Sequence, residues 1–181
     1  YGPKGIGALY ISSGTKLEKI ITGGYQERNR RAGTENIPAI AGFAKATELA
    51  YSIIHAESQR EKELRDYMET LILEQIPSVT INGNLNNRLS NISSLTIDNA
   101  MAESILFNLD LRGICISAGS ACSSGTLNPS HVLLALGHDT KMAKSSIRVS
   151  LGKFNTKEDI DEFVKQLELV VEQERNLSDL Y

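Results

Sequence analysis

A run of about forty residues, from Ile37 to Ile76, carries apolar side chains at three- and four-residue spacings and limits what the rest of the chain can do. Ile40, Phe43, Ala44, Thr47 and Ala50 share one stripe; Leu64, Tyr67, Met68, Leu71 and Ile72 share another. Forty residues is long for one globular helix, so the pattern predicts two helices with a bend near Ile54 to Ser58. Pro77 stops the second, because proline lacks the amide that a further helical turn needs.

Short elements follow in alternation. V-T-I-N reads as a strand ended by Asn82-Gly83, N-I-S-S-L-T-I as a half-buried strand, and A-E-S-I-L-F-N-L as a short helix. Ile114 to Ser117 reads as a further strand. Pro129 suits the first turn of a helix that runs through Leu136 and stops at Gly137. S-I-R-V-S-L is a strand, and Thr156 with Asp159 three residues on forms an N-cap signal for a last helix. Its buried face carries Ile160, Phe163, Val164, Leu167 and Val170. The fold class is therefore α/β, and residues 51–181 form a compact layer with a long helix at each end.

Before the long helical run the order is different. Tyr1 to Gly5 is turn material, and G-I-G-A-L-Y-I reads as a short buried-type strand. Its glycines lack the G-x-G-x-x-G order of a dinucleotide loop. The chain opens on Tyr1 rather than Met and enters this strand at once, which suggests the interior of a longer protein. Residues 1–50 read as the edge of a different domain.

Composition narrows the class. The 181 residues suit one domain or slightly more, with 41% hydrophobic and 23% charged residues and a net charge of −3. No basic run favours nucleic acid, apart from a local patch at Arg28, Arg30 and Arg31. No segment approaches the roughly 20 apolar residues of a membrane helix. Two cysteines make no disulfide framework, which favours a reducing compartment and a cytoplasmic location.

Three places can carry chemistry. In I-S-A-G-S-A-C-S-S-G-T-L, Cys122 lies among small side chains that cannot pack a core, so an exposed, reactive thiol is expected there. Cys115, between Ile114 and Ile116, reads instead as a small buried hydrophobe. Arg148 lies in a strand among Ile147, Val149 and Leu151; a half-buried arginine there needs a carboxylate, from the protein or from a ligand. The stretch G-G-Y-Q-E-R-N-R-R-A-G-T-E-N has no periodicity, and is either a solvated loop or a ligand-facing loop in which Thr34 offers a hydroxyl. A zinc site from Cys115, Cys122, His131 and His138 is disfavoured, since their spacing is much wider than that of structural zinc pairs. His131 and His138 read as polar residues flanking a helix and His55 as a surface residue; no metal is expected.

Four segments in order, Y-G-P-K-G-I-G-A-L-Y, G-G-Y-Q-E-R-N-R-R-A-G-T-E-N, S-A-G-S-A-C-S-S-G-T-L-N-P-S-H-V-L and S-I-R-V-S-L-G, together resemble the NifS/IscS-type cysteine desulfurases of the class V aminotransferases. The resemblance covers essentially the whole chain. It implies a pyridoxal-phosphate enzyme of the aspartate-aminotransferase-like fold (fold type I), working as a homodimer. This chain then supplies its small C-terminal domain, residues 51–181, and the edge of its large domain, residues 1–50. The implied reaction converts L-cysteine to L-alanine and leaves a persulfide on Cys122, for transfer to an iron–sulfur scaffold or a tRNA-thiolation enzyme. Arg148 matches the arginine that grips the substrate carboxylate, and Thr34 the threonine that reaches the cofactor phosphate of the partner subunit.

The family's cofactor lysine lies just upstream of the Tyr-Gly-Pro-Lys-Gly segment, so Lys4 is not that residue, and this piece alone is expected to be inactive. Tyr25 and Ser123 depart from the residues common in the family, a glycine and a threonine, without changing the class. Two other readings remain at this level: a non-catalytic module that docks a sulfur acceptor, and another fold type I enzyme whose loop cysteine is incidental.

Overall fold

The computed structural model describes residues 1–118 and 129–178. Its elements are α1 (Gln26–Asn29), α2 (Ile37–Gln75), β1 (Val79–Ile81), β2 (Ile92–Ile97), α3 (Ala102–Asp110), β3 (Ser117–Ala118), α4 (His131–Ala135), α5 (Thr140–Lys144), β4 (Ser146–Ser150) and α6 (Lys157–Ser178). Two compact units divide between Ile54 and His55, a few residues beyond the expected boundary at 50/51.

α2 is one helix of 39 residues rather than two. No glycine or proline interrupts it between Phe43 and Gln75, and sharp kinks need such a residue or an inserted side chain. Its polar residues pair along the helix instead, as in Lys45–Glu48, Lys62–Asp66 and the bond from Gln59 to Glu63.

In the unit Tyr1–Ile54, the G-I-G-A-L-Y-I segment forms no strand. A strand exists through its neighbour's hydrogen bonds, and no described residue of this chain pairs with it. Leu9 and Tyr10 are consequently 73% and 89% exposed.

The unit beginning at His55 is built on a four-stranded antiparallel sheet in the order β1-β2-β4-β3. One face is apolar: Leu95, Ile97, Ile147, Val149 and Leu151 are buried against Met68 and Ile72 of α2, Ile105 and Leu109 of α3, and α6. α6 buries Ile160, Phe163, Val164, Leu167 and Val170, the face its sequence predicts. It also starts where expected, with a reciprocal cap: Thr156 N–H donates to Asp159 Oδ2 (3.0 Å) and Asp159 N–H to Thr156 Oγ1 (3.3 Å). Gly137, at φ +91°, ends α4 as predicted. α5 was not expected; Asp139 caps it by accepting from Met142 N–H at 2.8 Å.

Two polar clusters fix the ends of the sheet. Arg88 binds Glu69 through both guanidinium nitrogens, at 2.7 and 2.6 Å, and Ser93 Oγ donates to the same carboxylate at 2.6 Å. At the far end of β4, Arg60 donates to the carbonyls of Gly152 (3.1 Å) and Asn155 (2.8 Å) while Glu57 accepts from it twice. Asn91 exchanges bonds with Leu151 on the other side. The strand that carries Arg148 is thus held firmly just beyond that residue.

Two expectations follow. Glu69→Ala leaves the half-buried Arg88 and the buried Ser93 without this acceptor and should cost about 3 kcal/mol in equilibrium unfolding, whereas Glu48→Ala on the exposed part of α2 should cost well under about 1 kcal/mol. The bond from Arg60 holds the Glu57 carboxyl below its ordinary value of 4.5. The unfolded chain therefore takes up that proton more readily, so the stabilisation is complete above the ordinary value and is lost as pH falls through the depressed one. Glu57→Gln should flatten that part of the acid limb of a pH–stability profile.

Candidate functional site

The second face of the sheet is polar. Pairing places Thr80 opposite Thr96, Thr96 opposite Ser146, Ser94 opposite Arg148, and Arg148 opposite Ser117. Side chains directly opposite share a face, with Cβ atoms about 5 Å apart, so this face presents hydroxyls around one guanidinium and contains no carboxylate at these positions. Asn82 extends it, donating from Nδ2 to Ser94 Oγ at 3.2 Å.

Arg148 departs from its expected burial. It is exposed, while Ile147 and Val149 on either side are buried. The strand alternation that sends its neighbours into the core sends Arg148 outward. No described carboxylate forms an ion pair with it, in contrast to Arg60, Arg65 and Arg88. Of the two partners the sequence allowed, a carboxylate of the described chain is not the one in place.

β3 fixes the approach to the cysteine segment. Ser117 pairs with Arg148 and Ala118 with Ile147, so the strand that leads into that segment lies beside the arginine. Cys122 itself lies outside the described residues. Cys115 is an exposed free thiol, not the buried hydrophobe expected. Ile114 and Ile116 pack on the core from alternate positions, which turns the residue between them to the surface; its Sγ lies 3.9 Å from Asp110 Oδ1.

Thr34 belongs to the unit Tyr1–Ile54. It is exposed, in a loop between α1 and α2. Gly33, at φ +109°, donates its N–H to Gln26 Oε1 at 3.2 Å, and Arg31 Nη1 donates to the Ala32 carbonyl at 2.6 Å. Asn36 Oδ1 accepts from Ala39 N–H and caps α2. α1 is an unusual turn, since Glu27, Arg28 and Asn29 have φ of 50°, 55° and 62°. Three successive left-handed residues with side chains are costly. Lys19 secures them, donating to Asn29 Oδ1 at 2.7 Å and lying 5.7 Å from the Tyr25 ring centroid.

Sequence reasoning missed Ser94 and Ser117 as cross-strand neighbours of Arg148, and Asn82 as a partner of Ser94. The alternation in N-I-S-S-L-T-I did place Ser94 and Thr96 on one face, but the order of strands could not be read from it. His131 opens α4, His138 lies partly buried just past Gly137, and His55 is exposed on α2. Among the described residues, no three His, Cys, Asp or Glu side chains converge as a metal site, and no helix is long and apolar enough to cross a membrane.

The comparisons agree on the family. The aminotransferase class-V model matches residues 1–163. A cysteine desulfurase IscS of Dictyoglomus turgidum is 47% identical over 178 residues, 98% of this chain and 45% of that protein. Another, of Methanosarcina thermophila, is 45% identical over 99% of this chain and 44% of its own length. The solved structure of a NifS-like protein from Rickettsia africae superposes with a TM-score of 0.77 at 37% identity, over 87% of this chain and 41% of that one. A second NifS-like protein gives 0.82 at 32% identity, over 95% and 43%. The chain thus spans a little under half the length of the relatives it matches. With a motif set, an α/β fold and a family model in agreement over most of its length, the chain belongs to the class-V aminotransferase family, whose enzymes use pyridoxal phosphate.

Proposed function

We propose that this chain is the C-terminal part of a cysteine desulfurase, with residues 51–181 as its small domain and residues 1–50 as the edge of its large, cofactor-binding domain. The exposed Leu9 and Tyr10, in a segment with strand character but no partner strand among the described residues, support the second assignment. The complete enzyme converts L-cysteine to L-alanine, works as a homodimer in the cytoplasm, and hands sulfur from Cys122 to an acceptor protein, an iron–sulfur scaffold or a tRNA-thiolation enzyme.

One observation carries this reading: the chain enters the cysteine segment from a strand paired with the strand of Arg148. Ala118 pairs with Ile147, and the four residues from Ala118 to Cys122 span at most about 14 Å. The segment that contains Cys122 is thus entered from a strand beside an exposed guanidinium that lacks a carboxylate partner among the described residues. An arginine and a cysteine suit a small molecule with a carboxylate at one end and a sulfur at the other, and L-cysteine is such a molecule.

The residues also suit the family's cofactor at its phosphate end. Thr34 presents an exposed hydroxyl in a loop that contains Arg30 and Arg31 and follows Arg28 of α1, a donor set that suits a phosphate. We assign Thr34 to the cofactor phosphate of the partner subunit; Lys4 is not the lysine that binds the cofactor. When bound, pyridoxal phosphate supplies an electron sink for chemistry at the substrate α-carbon.

The chain's own residues then act in sequence. Arg148 holds the substrate carboxylate by a bidentate, charge-assisted pair and so fixes where the sulfur lies. The Cys122 thiolate attacks that sulfur. A sulfur–sulfur bond forms while the substrate carbon–sulfur bond breaks; the carbon keeps the electron pair and takes a proton, giving alanine. The persulfide left on Cys122 is passed to the acceptor by a further thiol exchange.

In the full-length protein, Cys122→Ser should abolish sulfide release while leaving the absorbance change of the bound cofactor on addition of L-cysteine. Equal loss of both signals would remove Cys122 from the assigned role. Arg148→Ala should raise the KM for L-cysteine by more than about tenfold, the scale of a lost bidentate ion pair.

A further inference from the structure

We propose that a cavity of about 320 Å³ between β1, the turn after β2 and α5 binds a free α-amino acid with an uncharged side chain. Lys141 takes the carboxylate of that molecule and Asp98 its ammonium group. The proposal needs nothing of the roles assigned to Arg148 and Cys122.

The walls come from three places. β1 gives Thr80, the turn after β2 gives Asp98 and Asn99, and α5 with its C-cap gives Lys141, Met142 and Ser145. All six belong to the unit that begins at His55. The volume lies at the low end of the roughly 300–1,000 Å³ of small-molecule sites. Backbone hydrogen bonds hold the walls in place: Ile97 N–H donates to the Ser145 carbonyl at 2.9 Å, and Asp98 N–H to the Ser78 carbonyl at 3.0 Å. Arg175 donates to the Asp98 carbonyl through Nε at 3.1 Å and Nη2 at 3.0 Å.

That bonding leaves particular groups over. The amide and carbonyl of Asp98 are both spent, and its carboxylate has no hydrogen-bond or ion-pair partner among the described residues. Lys141 Nζ has one long contact, 3.4 Å to Asn99 Oδ1, and no carboxylate partner among the described residues. Ser145 is 4% exposed, and its N–H and C=O are likewise used within the protein. Its hydroxyl bonds to no described residue. The unpartnered side-chain atoms that are sealed from solvent, among the described residues, are Arg88 Nε and His138 Nδ1. The Ser145 hydroxyl is therefore reachable, and the cavity it lines is where a ligand reaches it.

A cation and an anion that share a cavity without pairing select a ligand with both charges. A plain anion meets the Asp98 carboxylate and a plain cation meets the Lys141 ammonium, whereas a zwitterion offers each its opposite. In this volume the zwitterion must be small, and a free α-amino acid is the simplest of that kind. Its carboxylate accepts from Lys141 and Ser145, and its ammonium group donates to Asp98. Its side chain lies against Met142, whose flexible thioether adapts to varied apolar shapes.

The test uses the full-length protein and isothermal titration with L-leucine, an α-amino acid without the sulfur of the proposed substrate. Saturable binding is expected. Isocaproate, which lacks the amino group, and isoamylamine, which lacks the carboxylate, should each bind about tenfold more weakly. Lys141→Ala and Asp98→Asn should each weaken L-leucine binding by about tenfold. Ser145→Ala should weaken it about fivefold with an unchanged thermal unfolding midpoint, since that hydroxyl bonds to no described residue. Absence of saturable binding overturns the proposal, as does isocaproate or isoamylamine binding as tightly as L-leucine. Wild-type affinity in any of the three variants also overturns it, and so does a Ser145→Ala protein whose affinity and unfolding midpoint fall together.

Discussion

The antiparallel pairing of β4 with β2 on one side and β3 on the other is the constraint on which the rest depends. Its register decides which residues of S-I-R-V-S enter the core and which face outward. A slip of one residue would bury Arg148 and expose Ile147 and Val149, because side chains alternate strictly along a strand. Register is secured from both ends. Asn91 and Arg60 hold the backbone beyond Leu151, and Ser146 is tied to Thr96 and to the Met142 carbonyl at the start. The same pairing holds Ser117 and Ala118, so one set of backbone hydrogen bonds positions both the arginine and the residues that lead into the cysteine segment.

The two faces of this sheet answer to different physics. Against the helices, non-directional burial dominates and aliphatic side chains fill the space. On the opposite face the hydrogen bonds among the described residues are directional, running through hydroxyls and an amide around an exposed guanidinium. A recognition site for a small polar molecule needs the second kind of surface on a foundation of the first, since directional contacts lose their value when the backbone beneath them shifts.

Much of this could be read from the residues, and the misses have physical causes. The buried face of α6, its Thr156–Asp159 cap, the Gly137 stop and the strand at Arg148 were all legible, because each rests on local periodicity or on a single residue's chemistry. The bend in α2 was not there, since a length argument outweighed the absence of any residue able to break the helix. The strand expected at G-I-G-A-L-Y-I failed for the opposite reason: strand character is local but strand formation needs a partner. Cys115 followed the alternation of its neighbours and not the general habit of cysteines. The surroundings of Arg148 were out of reach because Ser94 and Ser117 come together only through the strand order, which no short stretch of sequence encodes.

The left-handed turn at Glu27, Arg28 and Asn29 has a consequence of its own. Each such residue with a side chain costs about 1–2 kcal/mol relative to its right-handed form, and glycine would remove most of that cost. A loop written with glycines at these three places would fold more readily, yet would present neither the acid nor the guanidinium, nor the amide that Lys19 grips. This stretch is therefore where foldability and the display of polar groups pull against each other. Engineering for thermal tolerance would find its easiest gains there, and those gains would come at the expense of the surface next to Thr34.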